Sequence, residues 1–295
     1  MNVLLTGANG QLGRCLVDRL QQNDSFKFTA LDRQSLDISD IDQVKAIVAD
    51  TEHDIIINAA AYTGVDKAET DVENARRVNE IGAANLAEIA KNLGVPLIHV
   101  STDYVFDGHA DKPYTETDST GPTGVYGQTK LAGEAVIQSI CPKHIILRTA
   151  WVYSEYGSNF VKTMLRLAET RDELNVVEDQ TGCPTYAGDI ADTILKICLG
   201  ISTDTKWGIY HYVGATQCTW AEFARTIFRE AETLGILARK IVVHGIPSSA
   251  YPTQAERPKY SVLDCRKVVN AFDVLPIELK QSLPRMLEAF KRQQD

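Results

Sequence analysis

The 295-residue chain lacks a surplus of positive charge: 30 Lys and Arg stand against 39 Asp and Glu, a formal net charge of −9. That excludes a nucleic-acid backbone or an anionic membrane as principal partner, since both reward a basic face, although a local basic pocket remains open. Long hydrophobic runs are also missing. The opening "MNVLLTGANG" has no charged leader, and its apolar stretch ends at glycine after a few residues, so it reads as a strand entering a turn rather than a signal peptide or a membrane span. Six cysteines (Cys15, Cys141, Cys183, Cys198, Cys218, Cys265) are scattered without a C-x-x-C pair or clustered histidines. This argues against a disulfide framework or a zinc site and for reduced thiols in the cytoplasm. Internal repeats and low-complexity tracts are absent as well, which favours an intertwined globular chain over tethered modules.

What the chain does have is an alternation. The apolar runs "NVLLTG", "FKFTALD", "DIIINAAA", "PLIHVSTD" and "HIILRTA" are separated by the amphipathic stretches "QLGRCLVDRLQQ", "DIDQVKAIVAD", "ENARRVNEIGAANLAEIAKNLG" and "YGQTKLAGEAVIQSI". That order predicts right-handed β-α-β units, hence an α/β, Rossmann-type doubly wound parallel sheet. Beyond about residue 150 the rhythm loosens. "SNFVKTMLRLAETR" and "TWAEFARTIFREAETLG" read as helices and "LNVVED" as a strand, with a terminal helix entered near Pro276 and interrupted or kinked near Pro284. The expected organisation is a nucleotide-binding domain over 1–150 and a smaller, intertwined substrate-binding lobe over 151–295, with later segments returning to the first domain.

"TGANGQLG" places Gly7, Gly10 and Gly13 directly after one strand and before one helix, with Gln11 and Leu12 opening that helix. Glycine lets backbone amides approach a pyrophosphate, and the helix N-terminus adds orphan N–H groups and a favourable dipole. The second strand ends at Asp32, 19 residues after Gly13, where a carboxylate meets an adenine ribose. Arg33 follows at once. An Asp there favours the free 2′-hydroxyl of NAD and an adjacent Arg the 2′-phosphate of NADP, so the pair leaves the choice open. "LDI", residues 36–38, offers Asp37 and Ile38 as walls for the adenine, with a helix cap at Asp37 an equally good account. "NAAAYT" puts Ala59, Ala60, Ala61 and Thr63 at the carboxyl end of the third strand, small enough for a dinucleotide to lie against the backbone; tight helix-sheet packing would use the same residues.

Of eleven tyrosines only Tyr126 has a lysine four residues on, Lys130, and this spacing puts both on one helical face. The pair alone proves little. The preceding strand ends in "STDYVF", which brings the hydroxyls of Ser101 and Thr102 to the same carboxyl edge as the glycines, and a Gly- and Pro-bearing loop delivers the helix start into the cleft.

In this order, the glycine motif, the "NAAA" edge, the Ser/Thr strand and Tyr-x-x-x-Lys resemble the extended short-chain dehydrogenase/reductase family over about the first 150 residues. More closely, "NAAAYTGVDKAE", "STDYVFDG", "YGQTKLAGE", "RTAWVYSEYGSNFVKTML", "DQTGCPTYAGDIAD" and "ERPKYSVLD" resemble the dTDP-4-dehydrorhamnose reductases from end to end. The resemblance implies reduction of a nucleotide-sugar 4-ketone by NADPH, with NADH usable, in a cytoplasmic enzyme. Tyr126 would donate the proton. Lys130 would lower the phenol's pKa and bond the nicotinamide ribose, and Thr102 would hydrogen-bond the carbonyl. It further places Asp103 and Trp151 at the sugar and Val65 beside it, while Arg257 is suited to a diphosphate through bidentate guanidinium bonds, or to a surface ion pair. Trp151 could equally be a core aromatic. Asn79 could support the catalytic network or make a structural bond. The Thr102-Asp103-Tyr104 stretch lacks the glutamate of related dehydratases, which argues against elimination. An epimerase or reductase of another nucleotide sugar, and a non-catalytic dinucleotide-binding subunit, stay as alternatives. A homodimer is compatible with the resemblance; a dimer-bridging metal is not expected, because Cys15 stands where that pattern has a glutamate.

Overall fold

The computed structural model describes residues 1–49 and 52–293. The chain runs β1 (Asn2–Thr6), α1 (Gln11–Gln21), β2 (Lys27–Leu31), α2 (Ile41–Ala49), β3 (Ile55–Asn58), α3 (Val65–Ala68), α4 (Val72–Arg76), α5 (Gly82–Leu93), β4 (Leu97–Thr102), α6 (Val125–Ile140) and β5 (His144–Thr149). It continues through β6 (Val152–Tyr153), α7 (Phe160–Ala168), β7 (Glu173–Val177), β8 (Thr181–Gly182), β9 (Thr185–Tyr186), α8 (Ala187–Gly200), β10 (Gly208–His211), β11 (Cys218–Thr219), α9 (Trp220–Thr233), β12 (Val242–Ile246), α10 (Arg266–Phe272) and α11 (Leu279–Arg292).

Six strands form one parallel sheet in the order β10-β5-β4-β3-β1-β2. Buried on both faces, the inner strands β5, β4, β3 and β1 read as largely apolar runs, and successive residues serve opposite faces: Val3 and Leu5 pack with α1 and α8, Leu4 and Ile56 with α5 and α6. The chain steps from β1 outward to β2 and then back across β1 to β3, so the winding reverses between β1 and β3. The carboxyl ends there, Thr6 and Asn58, are direct neighbours in register. A switch point of this kind opens a crevice where ligands bind in open α/β sheets.

The second half of the chain is divided. β10 adds to the edge of the main sheet beside β5, and α8 packs with α1 on one of its faces. The rest, α7, α9 and α11 with the short pairs β7–β12, β8–β11 and β6–β9, encloses a separate apolar cluster around Phe223, Ile227, Leu283 and Met286.

Three local expectations change. The stretch predicted as one helix over residues 73–94 contains a π-helical turn, Arg77–Ile81, between α4 and α5. α2 is capped by Asp40, whose Oδ1 accepts from the amides of Asp42 and Gln43; Asp37 instead accepts from Ser39 and pairs with Arg77 at 3.1 Å, so it is no helix cap. α11 starts at Leu279, three residues after Pro276, and runs unbroken through Pro284. Proline sits within two turns of its start, where few carbonyls precede it, and Leu283, Met286 and Leu287 are buried around it. No helix among the described residues is long and apolar enough to cross a membrane.

Candidate active site

The glycine turn closes over the switch point. Gly7 has φ +77°, and a Cβ on it would lie 2.5 Å from the Ala60 amide nitrogen; a Cβ on Gly13 would lie 2.1 Å from the Gly7 carbonyl oxygen. Both are therefore demanded by packing, Gly7 against the Ala59–Ala60 edge and Gly13 against the turn itself. Gly10 differs. A Cβ there meets only the Gly7 oxygen, at 3.3 Å, so its bareness keeps open the space in front of the helix. Gly10 is also the N-cap of α1, with no side-chain cap and no acidic residue in the first turn, so the leading amides of α1, from Gln11 through Gly13, have no side chain to satisfy them. A cradle that a Cβ would fill, ahead of an uncapped helix N-terminus, fits a pyrophosphate.

The remaining sequence candidates for this half are distributed unevenly. Asp32 stands at the end of β2; it accepts from Ser35, Gln34 and Asn9, and the bonds from Ser35 and Gln34 hold its carboxyl below the usual range. Arg33 beside it is exposed, as is Thr63, while Ala59, Ala60 and Ala61 are half-buried along the edge. Gln11 turns away to accept from Ser154 and Asn159. Leu12 belongs to the core, and Ile38 is buried with its side chain filling the space left by Gly82 of α5.

Opposite the cradle, α6 presents Tyr126, Lys130 and Glu134 along one face, with Gly127 and Gly133 on the flank. The glycines set how close the helix sits. A Cβ at Gly127 would stand 2.2 Å from the Tyr104 oxygen and one at Gly133 2.2 Å from the Asn79 oxygen. Glu69, distant in sequence, accepts from the Val125 amide and caps the helix start. Asn79 lies in the π turn and accepts from the Tyr62 amide while donating to Tyr62 O and Thr129 Oγ1. Its bonds are structural, made to the backbone and to α6, and none reaches Tyr126 or Lys130 side-chain atoms.

Thr102, at the end of β4, donates to Asp103 Oδ1 at 2.9 Å and accepts from the Tyr104 amide. Burial pushes the Tyr126 phenol up to about 12, with the nearby Thr102 hydroxyl opposing and Asp103 reinforcing. Lys130 Nζ reaches back under the sheet edge to Val100 O at 2.7 Å and His99 Nε2 at 3.1 Å, and burial presses its own pKa down to about 8. Asp103 is 3 % exposed, its Oδ2 has no hydrogen-bond partner among the described residues, and burial raises it to about 6.

The substrate candidates fall into two groups. Tyr104 meets Tyr126 edge-on at 5.5 Å and lies under the Arg257 guanidinium at 5.9 Å; Arg257 Nη2 donates to Asp66 at 2.6 Å, next to Val65 at the start of α3. Val65, Asp103, Tyr126 and Arg257 thus share one neighbourhood. Arg257 makes the ion pair, yet its buried Nη1 has no partner. Trp151 makes contacts of its own. It has φ +47°, stacks on Trp220 at 3.5 Å and packs over Gly182, bridging the main core and the second apolar cluster. Asn58 and His99, buried at the centre of the row behind Lys130, are residues the sequence reading missed; their signal is a lone polar residue inside the apolar runs "IIIN" and "LIHV".

A model of the RmlD substrate binding domain matches residues 1–292. A dTDP-4-dehydrorhamnose reductase of Aggregatibacter actinomycetemcomitans is 46% identical over 283 residues, covering 95% of this chain and 96% of that one. Among solved structures, a dTDP-4-dehydrorhamnose reductase from Clostridium acetobutylicum superposes with a TM-score of 0.91 at 39% identity over 99% of this chain and all of its own. One from Bacillus anthracis, in complex with NADP, gives 0.88 at 37% identity over 99% of each chain.

Proposed function

The chain belongs to the RmlD substrate-binding-domain family, and from that membership and the geometry around Tyr126 we propose that it reduces the 4-keto group of dTDP-4-dehydro-L-rhamnose to dTDP-L-rhamnose, using NADPH with NADH usable. The observation that carries the reading is the convergence, at one sheet edge, of an uncapped glycine cradle and the half-buried Tyr126 phenol near Thr102. When bound, the cofactor supplies the hydride that adds to the carbonyl carbon. Everything else is the work of the chain.

Gly7, Gly10 and Gly13 with the start of α1 hold the pyrophosphate, Ala59, Ala60 and Ala61 flank the dinucleotide, and Asp32 and Arg33 meet the adenosine ribose. Thr102 turns its hydroxyl hydrogen from Asp103 to the ketone oxygen and Tyr126 delivers its proton there as charge develops, a phenol being able to give up that proton only to a strongly basic oxygen. Lys130 contributes as a cation to the phenolate left behind. Asp103, Val65 and Arg257 line the sugar and diphosphate side, with Trp151 as an apolar plate, so residues 151–295 serve mainly as the substrate lobe. Six buried, free thiols accord with a reducing, cytoplasmic setting.

Incubating the purified chain with NADPH and dTDP-4-dehydro-L-rhamnose, following absorbance loss and identifying the sugar tests the reading. Turnover of a differently configured ketone alone would keep the mechanism and replace the substrate. Cofactor binding without turnover of any ketone would favour a regulatory subunit.

A further inference from the structure

Behind the site a polar row crosses the sheet. Thr6 of β1, Asn58 of β3 and His99 of β4 are register neighbours on the face covered by α6, each 1 % exposed, and the row ends on Lys130. Thr6 Oγ1 donates to Asn58 Oδ1 at 2.8 Å, Asn58 Nδ2 meets His99 Nδ1 at 2.9 Å and His99 Nε2 meets Lys130 Nζ at 3.1 Å.

The hydrogens in this row are dictated from one end. The Ala60 amide donates to Asn58 Oδ1 at 3.0 Å, and a backbone N–H can only donate, so the oxygen of the Asn58 amide faces Ala60 and its NH₂ faces His99. Nδ1 of His99 must then accept. A neutral imidazole that accepts at Nδ1 carries its hydrogen at Nε2, and that hydrogen points at Lys130 Nζ. An ammonium there would set donor against donor in a buried site. A neutral amine satisfies every atom: it accepts from Nε2–H with its lone pair and donates to Val100 O.

We propose that His99 is a positioning residue for the reaction, favouring the neutral amine of Lys130 over its ammonium through a tautomer set by Asn58 and thereby making the lysine's charge conditional on pH. This rests on the catalytic reading only for its effect on turnover. The surroundings supply no stronger anion. On α6 itself Glu134 is one turn on, but its carboxylate is taken by Arg148 of β5 at 2.6 Å. Asp103 follows β4 and bonds Thr102, Glu69 follows α3 and caps Val125, and in the π turn Glu80 pairs with Arg76 and Arg77 with Asp37. Burial holds His99 well below the ordinary histidine range, so it stays neutral, and lowers Lys130 to about 8. Since only the ammonium supports the phenolate of Tyr126, turnover falls as pH rises through the Lys130 titration.

Ring ¹⁵N NMR of the free protein reads the tautomer without any turnover. The expected result is a neutral His99 with hydrogen on Nε2 from about pH 6 to about pH 9; hydrogen on Nδ1, or an imidazolium, overturns the proposal. In the NADPH assay, His99→Phe removes the N–H donor and is expected to move the alkaline limb of kcat upward by about half a pH unit or more. An unchanged limb, or one displaced downward, overturns it, because the latter would mean that the imidazole accepts from an ammonium. Asn58→Asp is nearly isosteric and serves should His99→Phe not fold: it offers Nδ1 an acceptor, so the hydrogen is expected on Nδ1 and the limb about one pH unit higher. A chain that reduces no ketone yet shows the Nε2–H tautomer would sink the catalytic reading and leave this one standing; an active reductase with hydrogen on Nδ1 does the reverse.

Discussion

Glu134 and Arg148 face each other across the α6–β5 interface with both side chains sealed from water. The guanidinium Nε bonds the two carboxylate oxygens at 2.9 and 3.2 Å, and Nη2 adds a third bond at 2.6 Å. The pair stands one helical turn beyond Lys130 and pins the face of α6 that carries the site. Removing one partner leaves the other buried and uncompensated, so Glu134→Ala is expected to lose about 3–5 kcal/mol in urea denaturation. A loss below about 1 kcal/mol would mean that water reaches Arg148 and the interface is looser than the geometry says.

The glycines of the cradle should separate into two kinds. Gly10→Val meets little inside the protein but projects into the space reserved for pyrophosphate, so NADPH affinity is expected to vanish while the thermal midpoint stays near that of the parent. Gly13→Ala drives a methyl into the Gly7 carbonyl and should lower the midpoint markedly. Calorimetry and cofactor titration of the two variants check this together; retained affinity in a folded Gly10→Val would remove the cradle from the cofactor site.

Tyr126→Phe deletes the proton donor and keeps the ring against Tyr104. Turnover is expected to fall on the order of 10²-fold or more, with NADPH dissociation nearly unchanged. Near-normal kcat in this variant would require the proton to come from elsewhere, and Asp103 would be the first group to test.

Asp103 gives a stability prediction with a definite sign. Its pKa in the fold, about 6, lies above the ordinary 3.8, so the fold prefers the protonated acid. Below pH 3.8 the group carries no ionic penalty; the cost grows as pH rises toward 6 and is constant above, reaching about 3 kcal/mol for a shift of about two units. Asp103→Asn should therefore stabilise the chain by up to about 3 kcal/mol at pH 7, the gain fading below about pH 4, while turnover falls if the carboxylate holds the sugar. Urea denaturation at pH 4 and pH 7 decides it: a gain equal at both values would assign the effect to packing rather than to charge.

The alternation of apolar runs and amphipathic stretches determined the parallel sheet and its helices, because strand and helix periods are local properties of neighbouring residues. The spacing Gly7, Gly10, Gly13 determined a strand-turn-helix cradle for the same reason, and the i, i+4 spacing put Tyr126 and Lys130 on one face. Lys130's role was different. That its nitrogen bonds His99 and Val100 depends on which strands lie side by side, and residues 6, 58, 99 and 130 meet only through the register of β1, β3 and β4. Glu69 capping α6, Trp151 stacking on Trp220 and Arg257 shared between Asp66 and Tyr104 are likewise encounters across long stretches of chain. Protonation followed the same division. A sequence names the titratable groups, but burial and the direction of each neighbouring donor set their charge, and both exist only once the sheet has closed under α6.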